Sequence, residues 1–189
     1  MRDRMELEIL PVAAAMALAA GWPAAAAIAQ ATADPGVKQI RNIAEGAQNK
    51  VTAQMLASGV RSCTGRVDQV VNFLTRGTQS SALLFVPERD ADNSMVSISA
   101  EVQAQGVPRA YVTATFSPNT TMGCSGAYES VQYWDETCNA VAAKHFKGGT
   151  PGGPLGSEIG ILNIGPSARV FLMRANANSC VTIKKEVLR

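Results

Sequence analysis

The sequence predicts an α+β fold: N-terminal helices followed by a mostly antiparallel sheet with one inserted helix, stapled by disulfides. Three observations carry that expectation. Apolar residues recur at helical spacing before residue 78 and alternate with polar ones after it. Turn-forming Gly, Pro and Asn punctuate the second half at short intervals. Finally, all four cysteines, Cys63, Cys124, Cys138 and Cys180, lie beyond a leader of the kind that directs export.

The leader is residues 1–31. Its apolar run from Ile9 to Ala20 has signal-peptide length and falls short of the roughly 20 residues that a spanning helix needs. Pro23 and two small-x-small sites follow, which predicts cleavage after Ala29 or Ala31. Arg2 and Arg4 are offset by Asp3, Glu6 and Glu8, a departure from the usual basic start. Residues 32–36 read as a disordered leader, and 37–189 as a single domain. Cutting after Ala29 leaves 160 residues and moves the formal charge from +2 to +3, enough chain for one real core. The charge is too mild for nucleic acid, with Lys184-Lys185 the only basic pair. The expected location is therefore the periplasm or the extracellular space, with no transmembrane anchor after cleavage.

Taking the elements in order, Val37, Ile40, Ala44, Ala47 and Val51 recur at helical spacing up to about Val60, with Gly46 as a soft spot. Cys63, Val67, Val70, Val71 and Leu74 form a stronger stripe, and Gly77 stands where a helix ends. Ala82 to Val86 is a continuous apolar run stopped by Pro87. Val96, Ile98, Ala100 and Val102 then alternate with polar residues, as do Ala110, Val112, Ala114 and Phe116. Alternation of this kind means strands buried on one face, joined here by a turn over Gln105 to Pro108.

From Tyr128 to Phe146 two readings compete. One long helix fits Ala127, Val131, Trp134, Cys138 and His145; a strand to Trp134 and then a helix capped by Asp135 fits the strand formers and the acidic start better. The Gly/Pro stretch 147–156 predicts no element of its own. Three short strands follow, near Ile159 to Ile164, Arg169 to Met173 and Cys180 to Lys184.

An even number of cysteines in an exported chain predicts two disulfides, and no Cys-x-x-Cys spacing supports zinc or redox chemistry. If Tyr128 to Trp134 is a strand, it carries the chain roughly 20 Å, holding Cys124 and Cys138 at opposite ends. Partners need Cα atoms within about 7 Å. Cys63–Cys124 with Cys138–Cys180 is thus favoured, with Cys63–Cys180 and Cys124–Cys138 as the alternative.

No nucleophilic site emerges. Cys138 and the single histidine, His145, share a helical face, but seven residues separate them by roughly 10 Å, whereas a nucleophile and its base must approach to about 3 Å. Ser125 lacks the Gly-x-Ser-x-Gly frame. Asp90 to Ser94 resembles a calcium loop with Glu101 at its twelfth position, but Met95 stands where that turn requires glycine. No cofactor motif is present. The aromatic residues Tyr111, Tyr128, Tyr133 and Trp134 are the candidate binding residues, since such rings bury large areas at low entropic cost. The expected function is a non-catalytic binding, adaptor or envelope-assembly module. Its partner would be another envelope or extracellular protein, or a glycan. The competing expectations are a small secreted hydrolase using Glu129, Asp135 and Glu136, and a purely structural envelope protein.

Overall fold

Residues 37–41 and 49–188 are described by the computed structural model. The predicted signal peptide and the leader at 32–36 lie outside them. Among the described residues the order is β1 (Val37–Arg41), α1 (Lys50–Ala57), α2 (Thr64–Thr75), β2 (Gln79–Phe85), β3 (Val96–Gln103), β4 (Ala110–Asn119), β5 (Gly123–Trp134), α3 (Cys138–His145), β6 (Thr150–Leu155), β7 (Ile159–Asn163), β8 (Ala168–Asn176) and β9 (Ser179–Leu188). The nine strands form one sheet in the order β1-β2-β3-β4-β5-β9-β8-β7-β6, antiparallel throughout. The expected α+β class, with helices early and one inserted after β5, is the observed one.

Local chemistry explains the helices. Asn49 caps α1, its side-chain oxygen accepting from the Thr52 N–H at 2.8 Å. At the other end Gly59 adopts φ +89°, its N–H reaching Leu56 O while the Val60 N–H reaches Met55 O. That is the Schellman arrangement, and Val60 and Met55 complete it by packing together in the core. A polar network then joins α1 to α2. Asn49 donates to Asp68 and Asn72, and Thr52 also donates to Asp68. Gly77, at φ +66°, closes α2 where the sequence places a helix end.

The main core lies between these two helices and the sheet. Val51, Met55, Val67, Val70 and Val71 pack on Leu84, Ile98, Ala114, Phe116 and Tyr128. Gly126 faces Phe116 across β4 and β5, where an added Cβ would come within 2.9 Å of the Phe116 ring. A second core joins α3 to the sheet through Trp134, Val141 and Cys180. Tyr128 and Trp134 are an even number of residues apart on β5, so both cores use the same sheet face. All three helices therefore cover one side.

Three local readings change, and the favoured one for β5 stands. Val37–Arg41 is a strand paired to β2, not the start of a helix. Its Val37/Ile40 spacing suits a helix, but a short weakly apolar helix is marginal on its own, and the ladder with β2 supplies hydrogen bonds instead. The Gly/Pro stretch holds an edge strand, β6, with a register shift between Pro151 and Pro154; prolines are tolerated there because an edge leaves one side of the ladder open. The cap of α3 is Thr137, which accepts from the Ala140 N–H at 3.3 Å, rather than Asp135. As favoured from the sequence, β5 is a strand from Gly123 to Trp134 followed by α3, which excludes the single long helix.

Both disulfides are formed. Cys63–Cys124 has its Cα atoms 5.0 Å apart and Cys138–Cys180 4.9 Å apart, the pairing that the strand geometry favours. The first ties the start of α2 to β5, and the second ties α3 to β9.

Candidate functional site

The sheet face opposite the helices carries no helix among the described residues. Its side chains follow from strand register, because paired residues share a face. Over β3 and β4 that face is mostly polar, with Ser97, Ser99, Thr113 and Thr115. Over β5, β9, β8 and β7 two neighbouring rows of it are apolar. One row runs Tyr111, Val131, Ile183, Phe171, Ile161 from β4 to β7. The next runs Tyr133, Val181, Met173, Ile159, Leu155 from β5 to β6. At the usual strand separation each row spans about 19 Å. Tyr111 is 54 % exposed and Tyr133 48 %, and Met173 and Leu155 are exposed as well. Monomeric proteins seldom display so continuous an apolar surface without a use for it.

Charges of both signs border the rows. Glu129, Lys185 and Arg169 line up beside the first row, and the Lys185 ammonium donates to Glu129 at 2.5 Å. Glu101 pairs with Arg109 at 3.0 Å next to Tyr111, whose hydroxyl shares a 2.9 Å hydrogen bond with Ser99.

The four candidate aromatic residues are thus divided. Tyr111 and Tyr133 stand on the open face. Trp134 does not belong to any platform: it is 4 % exposed, its Nε1 donates to Thr182 Oγ1 at 2.9 Å, and the His145 ring lies 4.2 Å from it. Tyr128 is also buried, on the helix side. Strand pleating causes the division, because successive residues point to opposite faces.

Tyr128 contributes instead to a cleft of about 400 Å³ between α2 and the β5–β9 pair, shared with Arg66, Val70, Phe73, Ser167 and Glu186. Its hydroxyl donates to Glu186 Oε2 at 2.6 Å. Burial, and then that bond to Glu186, raise its ionisation well above the ordinary phenol value, so it acts as a fixed donor. The Lys184 ammonium lies 3.4 Å from Glu186 and over the rings of Phe73 and Tyr128, at 5.7 and 5.1 Å from their centroids. Sequence reasoning missed this cleft. The available signal was Phe73, a large aromatic that falls outside the apolar stripe of α2 and is 61 % exposed.

Two of the three carboxylates of the hydrolase reading, Glu129 and Glu136, are engaged by different cations. Glu129 is on β5 with Lys185, while Glu136 precedes α3 and pairs with Lys144 and His145. Lys144, and to a smaller extent His145, hold the Glu136 carboxyl below its ordinary value, the reverse of what a general acid requires. In the loop that resembles a calcium site, Asp92 accepts the backbone N–H groups of Arg61 and Ser62, and Asp90 accepts from Asn93. Glu101 points from β3 toward Arg109. Among the described residues no three His, Cys, Asp or Glu side chains converge to hold a metal ion. Comparison with protein-family models, curated proteins and solved structures finds no match to this chain.

Proposed function

We propose that this chain is an exported, non-catalytic binding module that docks another envelope or extracellular protein on the helix-free face of its sheet. The observation that carries the reading is the pair of registered apolar rows between Tyr111 and Leu155. Aliphatic side chains with Met173, Phe171 and two tyrosines, bordered by charges of both signs, have the make-up of an interface core and its rim. A glycan would want more hydrogen-bonding groups between the rings than this face offers. The two disulfides fit an exported chain, which N-terminal sequencing of the mature protein, expected to begin after Ala29 or Ala31, would test.

The docking test is site-specific photo-crosslinking in the exporting cell. A photoreactive phenylalanine at Tyr133 or Phe171 should yield one discrete protein adduct, lost when Val181→Glu places a charge in the second row. The same probe at Phe73, on the helix side, should not yield it. An adduct common to both sides, one that proves to be a glycan or a lipid, or none at all would overturn the reading.

A further inference from the structure

We propose that the cleft between α2 and the β5–β9 pair is a small-molecule site that takes an amphipathic anion, its oxyanion head on Arg66 and its apolar body on Phe73. The cleft is on the helix side of the sheet, so it stands independently of the docking face. Its walls follow from spacing and register. Arg66, Val70 and Phe73 recur at helical spacing and so share one flank of α2. Across from them Glu186 pairs with Tyr128, and Leu188 lies on the same face of β9. The Cys63–Cys124 bond anchors the start of α2 on β5, and toward its other end the Phe73 and Tyr128 rings are 6.2 Å apart. The space between, about 400 Å³, is of the size that holds a small molecule.

Three features set the ligand's chemistry. The first is Phe73, which is 61 % exposed although it lines a concave surface. An apolar group entering the cleft would cover this ring, with Leu188 beside it, and remove both from water. The second is Arg66, which has no acidic partner among the described residues. Its one hydrogen bond among them, to Gln69 Oε1 at 3.1 Å, steadies the guanidinium and leaves its other N–H groups as a fork that matches two oxygens. The Gln69 amide and the Ser167 hydroxyl line the same cleft as further donors. The third feature is the state of Glu186, the one acidic residue among those that line the cleft. Its carboxylate accepts from the Tyr128 hydroxyl and pairs with the Lys184 ammonium at 3.4 Å. A carboxylate balanced in this way is poorly placed to draw a cationic ligand, so the unbalanced charge of the cleft is that of Arg66, and the complementary ligand is an anion.

The test is titration of the disulfide-intact protein with phenylpropionate at constant ionic strength, followed by NMR shifts. Saturable shifts confined to Arg66, Gln69, Phe73, Ser167 and Leu188 are expected. Arg66→Gln should weaken binding about tenfold or more, the loss that goes with charge-assisted hydrogen bonds. Phe73→Ser should weaken it a few-fold through lost apolar contact. Phenylpropionamide, the same body with an uncharged head, should bind the unaltered protein as weakly as phenylpropionate binds Arg66→Gln. That comparison needs no variant, so it holds even if a substitution unfolds the chain. Phenethyl phosphate identifies the head: tighter binding than phenylpropionate indicates a phosphate ester, and weaker binding a carboxylate. Equal binding of acid and amide, shifts that survive Arg66→Gln, or no saturable shift would overturn the proposal. So would tighter binding of phenylpropylamine, which would mean that Glu186 draws a cation instead.

Discussion

Tyr133 and Trp134 are consecutive in the chain and face opposite sides of the sheet. The tyrosine ring lies on the open face, while the tryptophan is enclosed under α3 and bonded to Thr182. Their substitutions should therefore behave differently. Trp134→Ala should cost about 3–5 kcal/mol in urea denaturation, through lost burial and the cavity left behind. Tyr133→Ser should cost less than about 1 kcal/mol, the range of strand preferences at exposed sites. Equal costs would mean that the open face is covered in the folded protein.

The two disulfides should be separable by fluorescence. They close loops of 61 and 42 residues, so each is worth about 4 kcal/mol in the chain-entropy model. In a chain cut after Ala29, Trp134 is the only tryptophan. Replacing Cys138 and Cys180 by serine frees α3 and should shift its emission to the red before global unfolding. Replacing Cys63 and Cys124 should move emission only together with the unfolding transition. A non-reducing peptide map that links Cys124 to Cys138 would contradict the straight β5 strand.

Acid stability should depend on Asp92. The backbone N–H of Ser62, and next that of Arg61, hold its carboxyl below the ordinary value, each bond being 2.6 Å long. A carboxylate whose folded-state pKa is depressed contributes stability that is fully present above its unfolded value, near 4. That contribution is lost as the pH falls through the lower folded value. Urea midpoints of the wild type should thus drop on acidification below about pH 4, and Asp92→Ala should flatten that limb. Glu136, lowered chiefly by Lys144, titrates in the same direction, so Asp92→Ala with Glu136→Gln should flatten it further. An unchanged acid limb in the double variant would assign the loss to other groups.

Much of the fold is legible wherever one face of a strand is wet. Val96 to Val102 and Ala110 to Phe116 alternate because their outward positions are Ser, Thr and Glu, with Tyr111, against water. The same pattern fades in β5, β8 and β9. There Val131, Phe171 and Ile183 make the outward face apolar too, and a period of two no longer stands out. The surface that carries the proposed function is thus the one that blurs the sequence signal. Phe73, Tyr128 and the Lys184–Glu186 pair, well separated in sequence, meet only because β9 returns beside β5 and α2 lies above them.

The sequence by itself determined the α+β class, the helix end at Gly77 and, through strand length, the favoured cysteine pairing. Those properties depend on local periods, turn chemistry and the reach of the chain. The tertiary structure alone decided that Val37–Arg41 and Thr150–Leu155 are strands, since each gains its hydrogen bonds from a neighbour rather than from its own preference. It also decided which side of the sheet the helices cover. Alternation states that a strand has two faces, but only the packing of α1, α2 and α3 on one of them leaves the Tyr133 side open.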